Sequence, residues 1–530
     1  MKNLICKLIL MSLLVTIVLS ACNNDTTNTK SINDTTIHNE NDIETKTNDI
    51  INNSPPTSND IITDKVENTD TIKPNSPAEL ANHDNPPDNM NTPINNPPDK
   101  KPPESGNQFN KNELPNNSQP DSYNALNKYT ENKTENGNTI SSTGDDEIAI
   151  LVSNNAEVVI NDFVIERKNE NSTGGDKASF YGVGATTLVT DGSLTLNKGT
   201  ITSDAKGAAG VFAYDKGIAH INDVTINTNK DTSGGIHVAG GGKLYATNVS
   251  ATTNGESSAA IRSDRGGGEM HINGGTFISN GSGSPALYCT ANIEVNDAKL
   301  VSNNSEGICI EGLNTTTLNN VDLTSKMPDQ SQNDTTWSVI VYQSMSGDSE
   351  IGLGTFNMEN GSITSTNGGL FYTTNTDSEF NLKNVTLNPS NDFEFLLQVT
   401  GNKNKRGWGK AGANGANCTF NADTQILNGK IIYDTISTLT LNLTNNTIFT
   451  GSIIDDETYT NGKTGDGYAN VVIDRSSKWI VTSDSVINEL TLNGKLVDED
   501  DNDIRVIDND GYILREGTSD IYVTVNSFAE

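Results

Sequence analysis

The sequence predicts an all-β fold: a single-stranded, right-handed parallel β-helix with three short strands per turn, preceded by a disordered tether and closed by a C-terminal β-hairpin cap. Three observations predict it. Alternating apolar and polar residues recur in short copies such as Ser193-Leu194-Thr195-Leu196-Asn197, Ile218-Ala219-His220-Ile221-Asn222 and Glu269-Met270-His271-Ile272-Asn273, spaced by roughly 23–26 residues. Glycine triplets, Gly240-Gly241-Gly242 and Gly266-Gly267-Gly268, punctuate the copies and permit tight corners. No segment of the repetitive region carries a sustained 3.6-residue apolar period.

Each copy is followed, after a one-residue step, by a second strand whose apolar position is Ile201, Ile226, Ala251, Phe277, Leu300, Leu323, Ile363 and Leu387 in turn. A third strand precedes the next copy, as in Val211-Phe212-Ala213-Tyr214, Ile236-His237-Val238-Ala239 and Leu370-Phe371-Tyr372-Thr373. No single turn can bury its apolar face alone, but stacked turns share one continuous core. Between the first two strands Asn197, Asn222, Asn273, Asn296 and Asn319 form a column, expected to hydrogen-bond along the coil axis as structural ladders. The coil is predicted over residues 141–500. Residues 501–530 are predicted to form the hairpin cap, turning at Asn509-Asp510-Gly511 and covering strand edges that would otherwise be open.

The N-terminus has a different character. Lys2 and Lys7 precede an apolar run, Leu8 to Leu19, which is short for a membrane span and ends in small residues, so residues 1–21 read as a cleavable signal peptide. Leu19-Ser20-Ala21-Cys22 closely resembles the bacterial lipobox. That resemblance implies diacylation of Cys22, cleavage before it, and a lipid anchor holding the protein to the extracellular face of the cell membrane. Residues 22–140 are rich in Asn, Asp, Thr and Pro and nearly devoid of aromatics, a composition expected to stay disordered. Such a tether could extend to roughly 350 Å, with a relaxed span of about 60 Å.

The net charge of −33 and pI near 4.4 exclude a nucleic-acid partner, which needs clustered Lys and Arg, and disfavour lying flat on anionic lipid. After the signal and the lipid site, Cys289, Cys309 and Cys418 remain, an odd set with no disulfide or metal spacing.

The repeat resembles the bacterial right-handed parallel β-helix surface proteins, a superfamily that includes pectin-degrading enzymes, adhesins and polysaccharide-binding proteins. The segments Gly407-Trp408-Gly409-Lys410-Ala411-Gly412 and Ser476-Ser477-Lys478-Trp479 are similar to adhesin-like β-strand-repeat proteins of anaerobic Gram-positive bacteria. The resemblance implies surface display, with an extracellular polysaccharide or a host or cell-surface ligand as partner. The motifs of the family's enzymes are missing: Trp479-Ile480 continues as Val481-Thr482 rather than Asp-His, and no Gly-His-Gly or Arg-Ile-Lys occurs. Non-catalytic binding is therefore the expectation. A polysaccharide lyase or hydrolase is the alternative, and a structural spacer the third reading. No cofactor is called for, calcium being the ion that the lyase branch would imply.

The expected ligand face is the outward side of the third strands. One column reads Phe212, His237, Arg262, Tyr288, Cys309, Ile340 and Phe371; the next reads Tyr214, Ala239, Asp264, Thr290, Glu311, Tyr342 and Thr373. Aromatic rings beside charged groups suit sugars, and Tyr214, His237, Arg262, Asp264, Tyr288, Glu311 and Tyr342 are the candidate residues. The competing expectation is that insertions near Trp337 and Trp408 fold over this strip and bury it.

Overall fold

The computed structural model describes residues 119–530. The expected signal peptide, the expected lipid site Cys22 and the expected tether up to residue 118 lie outside the described residues. From Ala125 onward the chain is a parallel β-helix. Thirteen short strands, from Ala125–Tyr129 to Ile453–Asp455, stack in parallel to form one wall. Long bent strands such as Ser193–Asp204, Ile218–Thr228 and Gly242–Thr253 form the other two, each contributing the first and second predicted strands without a break. Towards the C-terminus the bent strands separate into two, and Ile426–Asn428, Ile448–Gly451, Lys478–Val481 and Lys495–Val497 make a wall of their own.

The bend is built by one residue per turn in the left-handed backbone region. Asp162, Lys198, Asp223, Asn248, Gly274, Asp297, Asn320 and Asn360 all have φ between 52° and 71°. Asp, Asn and Gly tolerate this region better than other residues, which explains the composition of the step. Beside the bend the asparagines form the expected ladder in pieces, Asn161-Asn197-Asn222 and Asn273-Asn296, with Thr247 between them and no side-chain bond joining Asn319. Asn197 Nδ2 donates to Asn161 Oδ1 at 2.8 Å, and Asn222 Nδ2 to Asn197 Oδ1 at 2.9 Å. At the corner between Ala239 and the next long strand, a Cβ on Gly242 would collide with the Ala213 carbonyl one turn below, so only glycine closes it.

The register places each predicted apolar column inside. Ile201, Ile226, Ala251, Phe277, Leu300 and Leu323 pair in sequence and are fully buried. Each large aliphatic side chain so buried contributes about 1.5–3 kcal/mol. A second interior column consists of hydroxyls: Ser203, Thr228, Thr253, Ser279, Ser302 and Ser325. Most of them serve the adjoining corner, as when Thr228 Oγ1 donates to the Ser233 carbonyl at 2.6 Å and Ser302 Oγ to that of Ser305 at 3.0 Å. Buried corner carbonyls thereby gain partners that a purely apolar interior would deny them.

Three details depart from the sequence expectation. The coil begins before residue 141: Ala125–Tyr129 pairs with Ile148–Val152, and Lys133–Asn136 and Thr139–Ser142 both pair with Glu157–Lys168. This first turn is polar and half-exposed, as suits an end turn with a neighbour on one side only, so its pattern is masked. At the far end the hairpin Arg505–Asp508 with Ile513–Arg515 forms at the expected turn, but the chain then continues. Tyr522–Val525 pairs in parallel with Arg505–Asp508, and Ser527–Ala529 extends the main wall beyond Glu489–Leu492. Finally, the strand Phe371–Thr374 is shifted by one residue. Tyr372, not Phe371, follows Ile340 outward, and Thr374, not Thr373, follows Tyr342. Phe371 turns inward because it packs against Phe356, Phe380 and Phe420, at centroid distances of 5.5–6.2 Å.

Removing residues up to 141 is therefore expected to lower the melting temperature relative to a chain starting at 119, because it uncovers the edges of Ile148–Val152 and Glu157–Lys168. Equal melting temperatures in a thermal scan would show the first turn to be dispensable.

Candidate functional site

Most successive turns differ by 21–26 residues, as between Asn197 and Asn222, Asn254 and Asn280 or Asn421 and Asn442. Several turns are longer, and three of them carry the largest insertions around the short-strand wall. Asn161 to Asn197 is 36 residues, while Thr317 to Asn357 and Asn381 to Asn421 are 40 each. The surplus residues lie at corners flanking the short-strand wall, and they fold across its outer face. The seven-residue helix Gly175–Tyr181 lies over the early turns; residues 327–337, 343–350 and 402–414 cover the later ones.

This cover decides the fate of the predicted ligand strip. Tyr214, His237, Arg262, Asp264, Tyr288, Glu311 and Tyr342 do share one face, at the predicted register, but all are between 1 % and 9 % exposed. The strip is a second core beneath a roof and presents no open surface to a ligand. Arg262 binds Asp264 Oδ2 through Nε at 2.6 Å, the Ser257 carbonyl at 2.6 Å and Ser179 Oγ of the helix at 2.8 Å. His237 Nε2 lies 2.9 Å from the same Asp264 oxygen, and its ring stacks on Phe212 at 4.0 Å. Arg265 pairs with Asp348 at 2.6 Å and lies 4.1 Å over the Phe180 ring. Glu311 accepts from Tyr288 Oη at 2.7 Å, Tyr342 Oη at 3.0 Å and Ser344 Oγ.

Electrostatics follow from this enclosure. Burial pushes the His237 imidazole down to about 4, against the pull of Asp264. Burial alone would raise Asp264, but Arg262 and His237 hold it below the ordinary carboxylate value. Burial raises Glu311, opposed by its hydroxyl donors.

The two other histidines among the described residues, His220 and His271, lie on an open wall. His220, Tyr245 and His271 stack with centroids 5.0 and 5.4 Å apart, and His271 lies 2.6 Å from Glu269 and 3.1 Å from Glu294. The three rings stack face to face from turn to turn as a ladder, with Tyr245 between the two imidazoles. Asp455 is raised to about 7 by burial and by its contact with Glu457, and neither residue lines a groove with the histidines. Cys289, Cys309 and Cys418 are buried free thiols. Among the described residues no cluster of three or more His, Cys, Asp or Glu is arranged to hold a metal ion, and no helix is long and apolar enough to cross a membrane.

The open feature of this region is a groove of about 330 Å³ where the roof meets the coil. Its coil side is the stacked corners of three turns: Glu256, Ser282 with Gly283, and Asn304-Ser305-Glu306. Its roof side is Met327, Pro328, Gln330, Ser331, Gln332 and Asn333, and Arg406 also lines it. The roof is pinned by specific contacts. Gln330 Nε2 donates to Ser282 Oγ at 3.2 Å and Gln332 Nε2 to Gln330 Oε1 at 2.7 Å. Residues 402–414 join it: Lys403 N donates to Asp334 Oδ2 at 2.8 Å, and Arg406 Nη1 to Asn333 Oδ1 at 3.1 Å. That loop owes its shape to Asn402 and Asn414, whose side chains both donate to the Trp408 carbonyl, at 3.2 and 2.9 Å. The Arg406 guanidinium thereby lies 5.0 Å over the Trp408 ring.

None of the groove residues was singled out from sequence. The available signal was the interruption of the repeat: two turns of 40 residues, each rich in amides and hydroxyls and each carrying a tryptophan. Amides, hydroxyls, two carboxylates and a guanidinium around one cavity can exchange many hydrogen bonds with a polyhydroxylated ligand.

Two outcomes follow for the roofed strip. Ile261→Asp and Arg262→Ala should both lower stability substantially in thermal unfolding, the first by placing a charge in the coil interior. The second leaves Asp264 buried without its cation, a loss of about 3–5 kcal/mol. A near-native melting temperature for Arg262→Ala would mean that the roof does not close over it. For His237, protonation favours the unfolded chain between its free value of 6.5 and about 4. Its contribution is thus complete above 6.5 and is lost as pH falls through that window, by about 3 kcal/mol in total. His237→Asn should flatten the stability profile between pH 6.5 and 4; an unchanged slope would contradict the assignment.

No family model, no curated protein and no solved structure matches the chain.

Proposed function

We propose that this chain is a surface-displayed lipoprotein whose β-helix binds an extracellular polysaccharide without cleaving it, through the groove between the roof and the stacked corners. The observation that carries the reading is the groove itself. Its lining is hydroxyl, amide and carboxylate with one guanidinium, the mixture that exchanges hydrogen bonds with sugar hydroxyls in both directions. The scaffold beneath it is rigid by construction, because the corners that form its floor are successive turns of one stacked coil. The lipobox-like Leu19-Ser20-Ala21-Cys22 and the long polar segment that follows support display at the cell surface. Non-catalytic binding is favoured because neither histidine that lies beside a carboxylate lines the groove: His237, next to Asp264, is enclosed under the roof, and His271, next to Glu269 and Glu294, stands on another wall.

A glycan array and a reducing-sugar assay on the full chain test the reading together. The expected result is retention of a defined class of glycans with no product. Product formation would replace it by a lyase or hydrolase, and silence in both assays would leave a spacer role. Cys22→Ala is expected to move the protein from the detergent phase to the aqueous phase and to abolish acyl labelling; unchanged partitioning would remove the lipid anchor from the proposal.

A further inference from the structure

Along the corner that floors the groove runs a second amide ladder, unbroken where the one at the bend is in pieces. Asn229 Nδ2 donates to Asp204 Oδ1 at 2.6 Å, Asn254 to Asn229 at 2.8 Å, Asn280 to Asn254 at 2.7 Å and Asn303 to Asn280 at 2.7 Å. With neighbouring strands ~4.8 Å apart, these five stacked groups make a straight track about 19 Å long. Asn254 stands two residues before Glu256, Asn280 two before Ser282 and Asn303 one before Asn304, and all three of those neighbours line the floor of the groove. Asn229 and Asp204 belong to the two preceding turns, which contribute nothing to the groove. The ladder thus carries the line of the floor beyond the roof. In the other direction it stops: the residue that follows Asn303 in the column is Lys326, from which the chain leaves to form the roof at Met327.

Each bond of the ladder engages one N–H and one lone pair. Asn229, Asn254 and Asn280 therefore each keep one N–H and one lone pair beyond those the ladder uses. Asn229, Asn254 and Asn303 are exposed and Asn280 is half-buried, so the track offers a donor and an acceptor to solvent once per turn.

We infer that a straight, β-linked glycan chain lies along the coil axis, with one end in the groove and the remainder on this ladder; the inference rests on the glycan-binding reading above and names its substrate class. A β-1,4-linked pyranose chain is extended and advances by close to one ladder step for each sugar. Successive units then meet the same amide, and a hydroxyl, which both donates and accepts, is matched by a group that does the same. An α-1,4-linked chain of the same sugars coils and leaves the track after its first units. Backbone stacking fixes the spacing of the amides before a ligand arrives, so aligning them adds little ordering cost.

The experiment titrates the full chain calorimetrically with oligosaccharides of two to six units. Cello- and malto-oligosaccharides have the same composition and differ in linkage, and chito-oligosaccharides supply a second β-1,4-linked series. Affinity is expected to rise about threefold for each added unit in a β-linked series, the gain from one further hydrogen bond, and to level off early in the malto series. Asn229→Ala lies outside the groove and should lower affinity for the six-unit chain while leaving that for the two-unit chain unchanged. Asp204→Ala, which shortens the track at its far end, should do the same and serves if Asn229→Ala melts early. Thr225→Ala, on the second-strand wall, should alter neither. Absence of a length gain in both β-linked series, an equal gain in the malto series, or undiminished six-unit affinity in both ladder variants would overturn the inference. An array that retains only α-linked glycans would overturn it while leaving the proposed function standing; a silent array would remove both.

Discussion

Parallel, in-register stacking of each turn on the previous one is the constraint from which the other features follow. Neighbouring strands lie about 4.8 Å apart, so any residue type repeated once per turn becomes a column with its members in contact. Inside, the columns are aliphatic, aromatic or hydroxyl; outside, they become the amide ladders of Asn197 and Asn222 and the ring ladder of His220, Tyr245 and His271. The same register obliges every turn to bend at the same place, and hence puts a left-handed residue at each step. A surplus of chain cannot be absorbed within a strand without moving every later side chain to the wrong face, so insertions are confined to corners.

That confinement explains the roof. The short-strand wall carries outward Phe212, Ile340 and Tyr372, which are costly to leave in water, and the three long turns supply the residues that cover them. Covering them also encloses Arg262, Asp264, His237 and Glu311. Such enclosure is tolerable only because each charged group has several partners, from the coil on one side and the roof on the other. Helix Gly175–Tyr181 and residues 343–350 are thus tied to the coil by specific polar bonds, Ser179 to Arg262 and Asp348 to Arg265, and not by apolar contact alone.

The groove arises where two of these insertions meet. Residues 327–337 leave one corner and residues 402–414 the opposite one, and they join at Asn333 and Asp334. Between that junction and the stacked corners at Glu256, Ser282 and Glu306, the roof stands away from the coil. A rigid floor and a pinned roof make a cavity whose shape is defined before any ligand arrives, which lowers the ordering cost of binding.

Much of the fold was legible in the sequence because a column is a one-dimensional signal. Ile201, Ile226, Ala251 and Phe277 are recognisable as one inward set from spacing alone, and the asparagine steps announce the bends. The first turn and the slip at Phe371 were not legible: Ala125–Tyr129 packs on one side only and so carries a weak apolar pattern, and the choice between Phe371 and Tyr372 depends on room among Phe356, Phe380 and Phe420. The sequence by itself determined that Tyr214, His237, Arg262, Asp264, Tyr288, Glu311 and Tyr342 share a face, since alternation and register are local properties. Only the tertiary structure decided that this face is a buried core and that the open cavity lies at its edge. Burial depends on where insertions distant in sequence come to rest, and no periodicity along the chain encodes that.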